Sequence, residues 1–171
     1  MYTKDHHQDD ADMILSKSQL EEMSTNLTKL AEKLNINAVL LVTSSGEPVA
    51  QKLKGPWNHY STLISTLTAS SFAAAGEIAR ILGEKSNFKM VLHEGEQNNV
   101  FVCTVNQEYF LIVIFESGVP VGIVRLFTKK TIARLLPILY REEKERPGLN
   151  QIFDQSFQSE LSEAINRSFS E

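Results

Sequence analysis

The side chains most able to do covalent or acid–base chemistry in this sequence are one cysteine and a histidine ten residues before it. Cys103 lies in the largely apolar run 100–105, and His93 ends another such run beside Glu94 and Glu96. A thiolate activated by His93 would be a nucleophile, and His93 itself a general base. No oxyanion donor or second nucleophile matches them, so we interpret Cys103 as a small buried hydrophobe and His93 as a solvated turn residue. We therefore expect no catalytic residue.

Metal and cofactor sites lack their usual ligands as well. His6 and His7 are adjacent in a polar N-terminal segment, and two adjacent histidines on a flexible tail make a poor metal site. The eight glycines are dispersed, so neither a P-loop nor a dinucleotide-binding fingerprint is present. The sequence predicts no metal, no cofactor and no enzymatic activity of its own.

The composition narrows the class of protein. The chain has 171 residues, 42% of them hydrophobic, which suits one domain with modest extensions. A single cysteine excludes an intrachain disulfide framework and favours a reducing, cytoplasmic compartment. No apolar run approaches the roughly 18 residues of a membrane span, and no signal peptide opens the chain. The lack of such a run predicts no membrane span. A formal charge of −4 gives nucleic acid no general electrostatic attraction, so we expect no nucleic-acid binding.

The N-terminal third predicts a helix followed by a β-hairpin. The capping box Ser18-Gln19-Leu20-Glu21 marks the helix start, because the serine and glutamate can satisfy early backbone N–H groups. Apolar residues then recur at steps of three and four, as on one helix face: Leu20, Met23, Leu27, Leu30 and Leu34. Buried strand 38–42, a turn at Gly46 and returning strand 48–54 follow.

The longest helical stretch runs from about Trp57 to Leu82, with Gly83 as its C-terminal cap. It has a large apolar face of Leu63, Leu67, Ala74, Ile78 and Ile81, and a second face of small side chains. We predict that the small face binds a partner, because small residues let another backbone approach closely; the set is Ser65, Ala69, Ser70, Ala73 and Gly76. Tight packing of this face on the protein's own sheet stays open as the alternative.

The rest of the chain predicts three more strands, at 88–93, 100–105 and 109–115, and a last core helix from about Val121. Short turns between consecutive strands indicate antiparallel pairing. Pro137 removes a helix hydrogen bond, so we expect a kink or break there. Within the same helix lies the main basic cluster, Arg125, Lys129, Lys130 and Arg134, which either faces an anionic partner or coats the outer surface.

The domain organisation follows from these elements. We predict an α/β (α+β) fold with a five-stranded antiparallel sheet in the order α-β-β-α-β-β-β-α. Residues 1–15 form a flexible tail, 16–140 the domain, 141–148 a charged linker and 149–171 an amphipathic tail helix. The apolar side chains that we expect to dock that helix are Phe153, Phe157, Leu161 and Ile165.

Several strings in this order resemble the roadblock/dynein-light-chain family. They are the strand 37–42 with the turn and return 45–50, the Ala-rich helix 70–82, the strand 109–115 and the segment 122–126. Leu82-Gly83-Glu84 and His93-Glu94-Gly95-Glu96 resemble the MglB-type bacterial branch most closely. The resemblance covers roughly residues 20–139.

The resemblance implies a homodimer that binds a Ras-like polarity GTPase in its GTP form and stimulates hydrolysis. In that branch the activator realigns the GTPase's own residues and inserts no arginine finger. If the fold is right, the third strand is left as an edge to pair across the twofold, through Phe88, Met90 and Leu92. Two other functions stay open: a scaffold that links polarity or motility proteins without activating them, and a sensor that holds a small ligand.

Overall fold

The structure, a computed structural model, describes residues 15–141, so the N-terminal segment with His6 and His7, most of the charged linker and the predicted tail helix lie outside it. Eight regular elements follow one another, with a 3-10 helix at Gly55–Tyr60 before the second α-helix. They are α1 (Lys17–Leu34), β1 (Ala38–Thr43), β2 (Pro48–Leu53), α2 (Ser61–Ile81), β3 (Met90–His93), β4 (Asn98–Thr104), β5 (Tyr109–Glu116) and α3 (Val121–Leu139).

The five strands form one antiparallel sheet in the order β2-β1-β5-β4-β3. β5 lies in its centre, and its residues Tyr109 to Phe115 are all buried, as their continuous apolar character predicts. Pro48 stands at the first position of edge strand β2, where its missing N–H costs no central ladder bond. The predicted element order and fold class are confirmed.

Helices α1 and α3 cover one face of the sheet. Their large side chains pack with alternate residues of β1 and β5, such as Val39, Leu41 and Val113. Gln19 joins the two helices, because its buried side-chain amide donates to the carbonyl oxygen of Ile138 at the end of α3, at 2.7 Å.

The start of α1 lies two residues before the predicted one. The N-cap is Ser16, whose hydroxyl accepts from the Gln19 backbone N–H at 3.2 Å, while the Gln19 side chain accepts from the Ser16 N–H at 2.9 Å. The predicted capping box from Ser18 to Glu21 is therefore wrong. Gln19 serves as the capping residue because it also reaches α3, which an exposed glutamate at position 21 does not.

α3 does not break at Pro137. The helix continues to Leu139, and the Tyr140 N–H still bonds to the Leu136 carbonyl at 3.0 Å. Pro137 lies on the exposed side of the last turn, so the predicted break is wrong.

α2 lies alone on the other face of the sheet. The helical stretch predicted from about Trp57 begins as the 3-10 helix of residues 55–60, and the α-helix proper begins at Ser61. Its end agrees with the prediction: Gly83, at φ +77°, follows the last turn, and the Glu84 N–H bonds to the Ala79 carbonyl at 3.0 Å. This bond and the left-handed Gly83 are features of a Schellman motif, in which glycine readily adopts the left-handed conformation.

Candidate partner-binding surface

The small side chains of α2 face the sheet. Ser65 is fully buried, Ala69 is 7% exposed and Gly76 is buried. A Cβ on Gly46, in the β1–β2 turn, would lie 2.9 Å from the Thr66 Cα and 3.3 Å from the Ala69 Cβ. The helix therefore approaches this turn closely because both sides lack bulk.

This burial corrects the predicted role of the small face. Ser65, Ala69 and Gly76 are covered by their own chain, so the intrachain packing that stood as the alternative holds for these three. Gly76 is in close contact with the side chain of Asn87, whose amide atoms lie 3.0 to 3.1 Å from where its Cβ would be. Ser70 and Ala73 are exposed, and their contact with a partner stays a prediction.

Most of the large aliphatic side chains of α2 point away from the sheet, whereas Ile64 and Phe72 pack toward it. The α2 stripe, as we call it, consists of residues that are between 54% and 76% exposed: Leu63, Leu67, Ile78 and Ile81. At about 100° per residue they lie on one side of the helix, opposite Ser65 and Gly76. Leu82 and Tyr60 extend the exposed apolar surface at its two ends, at 68% and 54% exposure. Such a contiguous apolar surface is typical of a protein interaction site.

The other surface with unused bonding capacity is β3. It pairs with β4 alone, from Met90 opposite Cys103 to His93 opposite Val100, and its outer edge has no strand beside it. The predicted edge strand is confirmed as an edge, although it begins at Met90, with Phe88 half-buried just before it. Met90 and Leu92 pack against the core on the α1/α3 side.

α2 and β3 are neighbours in space. The Ser71 hydroxyl lies 3.5 Å from Nε2 of His93, across exposed surface. The α2 stripe and the unpaired edge of β3 therefore form two parts of one side of the domain.

An open cleft of about 990 Å³ adjoins the middle of α2. Phe72 and Phe110 are stacked there with ring centroids 5.6 Å apart, and Ala73 lines the same wall. Polar side chains of the α2–β3 connection and of the β4–β5 turn complete the rim, including Lys85 and Asn106.

No catalytic constellation forms from the residues singled out in the sequence. In β3, Met90 and Leu92 face α1 and α3, so His93 belongs to the α2 side, whereas Cys103 is buried in the α1/α3 core. Burial raises the pKa of the Cys103 thiol, and the positive charges of Lys129 and Arg125 oppose that rise. The two residues lie on opposite faces of the sheet, so His93 does not activate Cys103, whose predicted burial is confirmed.

Metal sites and membrane spans are both absent from residues 15–141. These residues contain no group of three or more His, Cys, Asp and Glu side chains placed to hold a metal ion. Within the same residues, no helix combines the length and the apolar character needed to cross a bilayer.

The α2 stripe was not predicted to be an exposed surface. Its leucines and isoleucines resemble a core face, and a hydrophobic pattern alone does not tell which side of a helix meets the sheet. The signal that distinguishes the sides is the opposite stripe of Ser, Ala and Gly, together with Gly46 in a turn that needs close approach.

Comparison with known proteins agrees with this architecture. The Roadblock/LC7 domain model matches residues 23–115. Myxococcus xanthus MglB is 25% identical over 76% of this chain and 98% of its own, with a TM-score of 0.67, and the gliding protein MglB of Thermus thermophilus is 25% identical over 74% and 94%, also at 0.67.

Two further proteins extend the comparison. An MglB structure with a tetrameric arrangement is 26% identical over 74% of this chain and 93% of its own, with a TM-score of 0.67. An uncharacterized protein of Aquifex aeolicus is 28% identical over 135 residues, which are 75% of this chain and 83% of that protein. This chain thus belongs to the Roadblock/LC7 family, whose fold is that of regulators and adaptors, and it is structurally similar to MglB proteins.

Proposed function

We propose that this protein is a homodimer that binds a small Ras-like GTPase in its GTP form and stimulates GTP hydrolysis by realigning the GTPase's own residues. The observation that carries the proposal is the α2 stripe beside the unpaired edge of β3. An outward row of large apolar side chains and an open sheet edge both need a partner, and the two lie on one side of the domain.

The dimer forms through β3. Antiparallel pairing of Met90–His93 with the same strand of a second copy satisfies the open edge in both copies and joins the two sheets. The twofold axis then runs perpendicular to the sheet, so both α2 helices lie on the same side. Ser71 and His93, 3.5 Å apart, show how near α2 is to this edge. The similarity to an MglB structure with a tetrameric arrangement supports self-association.

The GTPase binds across the two α2 helices. The twin α2 stripes, with the exposed Ser70 and Ala73 beside them, form an apolar platform wider than one helix. This platform excludes water and holds one arrangement of the GTPase's flexible segments. Since phosphoryl transfer in these GTPases depends mainly on positioned water and electrostatics, repositioning alone can accelerate it.

The activator supplies no arginine finger in this proposal. Arg80 is the one arginine of α2, and its Nε is paired with the Glu77 carboxylate at 2.9 Å. Arg125 lies on α3, on the opposite side of the sheet from the α2 stripe. We expect Arg80→Ala and Arg125→Ala to keep stimulated hydrolysis, and loss of hydrolysis with intact binding in either would show a finger.

The test uses two matched substitutions on opposite faces. Leu67 on α2 and Leu126 on α3 are 61% and 50% exposed, so aspartate at either should leave the fold intact. We expect Leu67→Asp to weaken binding of the GTPase loaded with a non-hydrolysable GTP analogue by tenfold or more, and Leu126→Asp to leave it unchanged. Light scattering reports the dimer and phosphate release reports hydrolysis. Equal effects of the two substitutions would refute the proposed surface.

A non-activating scaffold is the second candidate, and one observation favours it. A separate pair of apolar side chains, Ile123 and Leu126, is exposed on α3 at 46% and 50%, on the other side of the sheet from the α2 stripe. Two such surfaces allow two partners at once. A complex with GTP-bound GTPase whose hydrolysis rate stays at the unassisted value would identify the scaffold.

A further inference from the structure

The charge on α3 is entirely positive. Between Val121 and Leu139 the helix carries four cationic side chains and no acidic one: Arg125, Lys129, Lys130 and Arg134. All four are exposed, and none forms an ion pair with another described residue. α1, its neighbour on the same face, carries three lysines and three glutamates and is neutral overall. The positive charge is therefore concentrated on α3.

The cations lie on both sides of the helix. Arg125 and Lys129 are on the β4 side, where their charge acts on Cys103. Lys130 is on the α1 side, because its Nζ lies 5.4 Å from the Phe127 ring centroid, over which Lys33 of α1 also lies at 4.8 Å. Arg134 follows Lys130 by one helical turn.

Apolar side chains lie between these two rows. Leu126 points outward between the rows, at 50% exposure, and Ile123, one turn before it at 46%, lies in line with Lys130 and Arg134. Ala133 and Pro137 continue the outward line, uncharged and exposed. A surface helix with cations flanking a strip of apolar side chains is typical of proteins that bind the interface of a charged membrane.

The charge of the whole chain makes this surface unusual. The 171 residues carry a formal charge of −4, whereas residues 15–141 hold 13 Lys and Arg against 10 Asp and Glu. The described domain is thus positive within an acidic protein, and its densest positive surface is α3.

We propose that the outer surface of α3 docks the protein on the anionic headgroups of a lipid bilayer. A bilayer meets the cations on both sides of the helix at once, and the interface accepts Leu126 between them and Ile123 beside Lys130. An acidic protein partner is the less favoured occupant, because the four cations are spread along the helix and form no pocket that would orient individual carboxylates.

The proposed dimer, on which the next step rests, doubles this surface. A twofold axis perpendicular to the sheet places both α3 helices on the side opposite the α2 platform. Eight α3 cations then face the same way, and the GTPase remains accessible while the dimer is on a membrane.

The experiment is sedimentation of the full-length protein with vesicles. We expect binding to vesicles of phosphatidylcholine mixed with phosphatidylserine, no binding to phosphatidylcholine alone, and release as salt rises, because screening weakens surface charge interactions. Lys129→Gln/Lys130→Gln should lower the partition coefficient about tenfold or more. The control Lys85→Gln/Lys89→Gln removes the same charge from exposed lysines outside α3 and should bind as the parent does.

Each other outcome overturns the proposal. No binding to phosphatidylserine vesicles, or equal loss in the α3 variant and the control, would exclude α3 as a membrane surface. Binding of the parent to polyglutamate but not to phosphatidylserine vesicles would indicate an acidic protein partner. Failure of the proposed function is recognised separately. A protein that does not bind the GTPase would still bind vesicles through α3, and a monomer would also bind them, but more weakly.

Discussion

The two faces of the sheet are built differently, and the difference lies in which side of the covering helices is buried. On the α1/α3 face, two helices contribute large side chains to a cluster of 20 buried apolar residues. On the α2 face, one helix packs small side chains together with Ile64 and Phe72 on a cluster of 8 and turns its other large side chains outward. The first face is complete within one chain. The second holds its helix close to the sheet and leaves the α2 stripe exposed.

The contrast teaches how to interpret an amphipathic helix. α1 and α2 both carry large apolar side chains at helical spacing, yet Met23, Leu27 and Leu30 of α1 are buried, whereas the α2 stripe is exposed. What distinguishes the helices is the opposite side: charged in α1, and small and uncharged in α2. Because neither of these two sides of α2 is charged, either could pack on the sheet. The side with small residues does so, because it allows the closest approach to the turn at Gly46.

The largest expected effect comes from the complete face. Leu135 on α3 is fully buried, so Leu135→Ala should lower the free energy of unfolding by about 2–5 kcal/mol, through lost burial and the cavity left behind. Leu67→Ala on the α2 stripe should change the unfolding of the separated monomer by about 0.5 kcal/mol or less. Urea titrations of both variants at low protein concentration make the comparison. Similar losses would mean that both faces contribute equally to the core.

The next effect tests the close approach of α2. Gly46→Ala should cost about 1–3 kcal/mol, because φ is +94° and the new Cβ would lie 2.9 Å from the Thr66 Cα. Gly118→Ala is the control, since a Cβ there meets nothing within 4 Å and should leave thermal stability nearly unchanged. A neutral Gly46→Ala, measured by thermal melts, would show that α2 moves away from the turn at little cost.

The fold was predictable because its signals are local and repeated. Alternating and continuous apolar runs located all five strands, and Gly83 located the end of α2. The start of α1 was missed by two residues because Ser16 and Ser18 both fit a cap, and only the distant contact of Gln19 with Ile138 favours Ser16. The inward face of α2 was missed for the same kind of reason: the partner of the small residues, Gly46, is distant in sequence.

Each face also contains one buried hydroxyl that has no hydrogen-bond partner among the described residues: Ser65 beneath α2 and Thr128 beneath α3. Removing such a group avoids the cost of burying it unpaired. We expect Thr128→Val to raise the free energy of unfolding by roughly 1 kcal/mol, since valine fills nearly the same space. Ser65→Ala should give a similar gain. Urea titrations in which both variants lose stability would indicate that both hydroxyls have partners.

The smallest effect concerns the chemical accessibility of the two faces. Cys103 is 4% exposed in the complete α1/α3 core, and burial raises the pKa of its thiol. The folded protein should therefore react slowly with a thiol reagent at pH 8, because the thiol is both covered and protonated. In the Cys103→Ser background, a cysteine at the exposed stripe position, Leu67→Cys, should react at the rate of a free thiol.

The pH dependence of stability follows from the same shift. A folded-state pKa above the unfolded value means that the unfolded chain loses its proton first as pH rises. The contribution of Cys103 to stability is thus complete below the ordinary thiol pKa and is lost as pH rises through the raised one.

Lys129→Gln removes a positive charge that opposes the rise in the Cys103 pKa, so it should raise that pKa further and slow labelling of Cys103. Labelling rates of parent and variant between pH 7 and about 10 measure this. Faster labelling in Lys129→Gln would mean that Lys129 acts by covering the thiol and not through its charge.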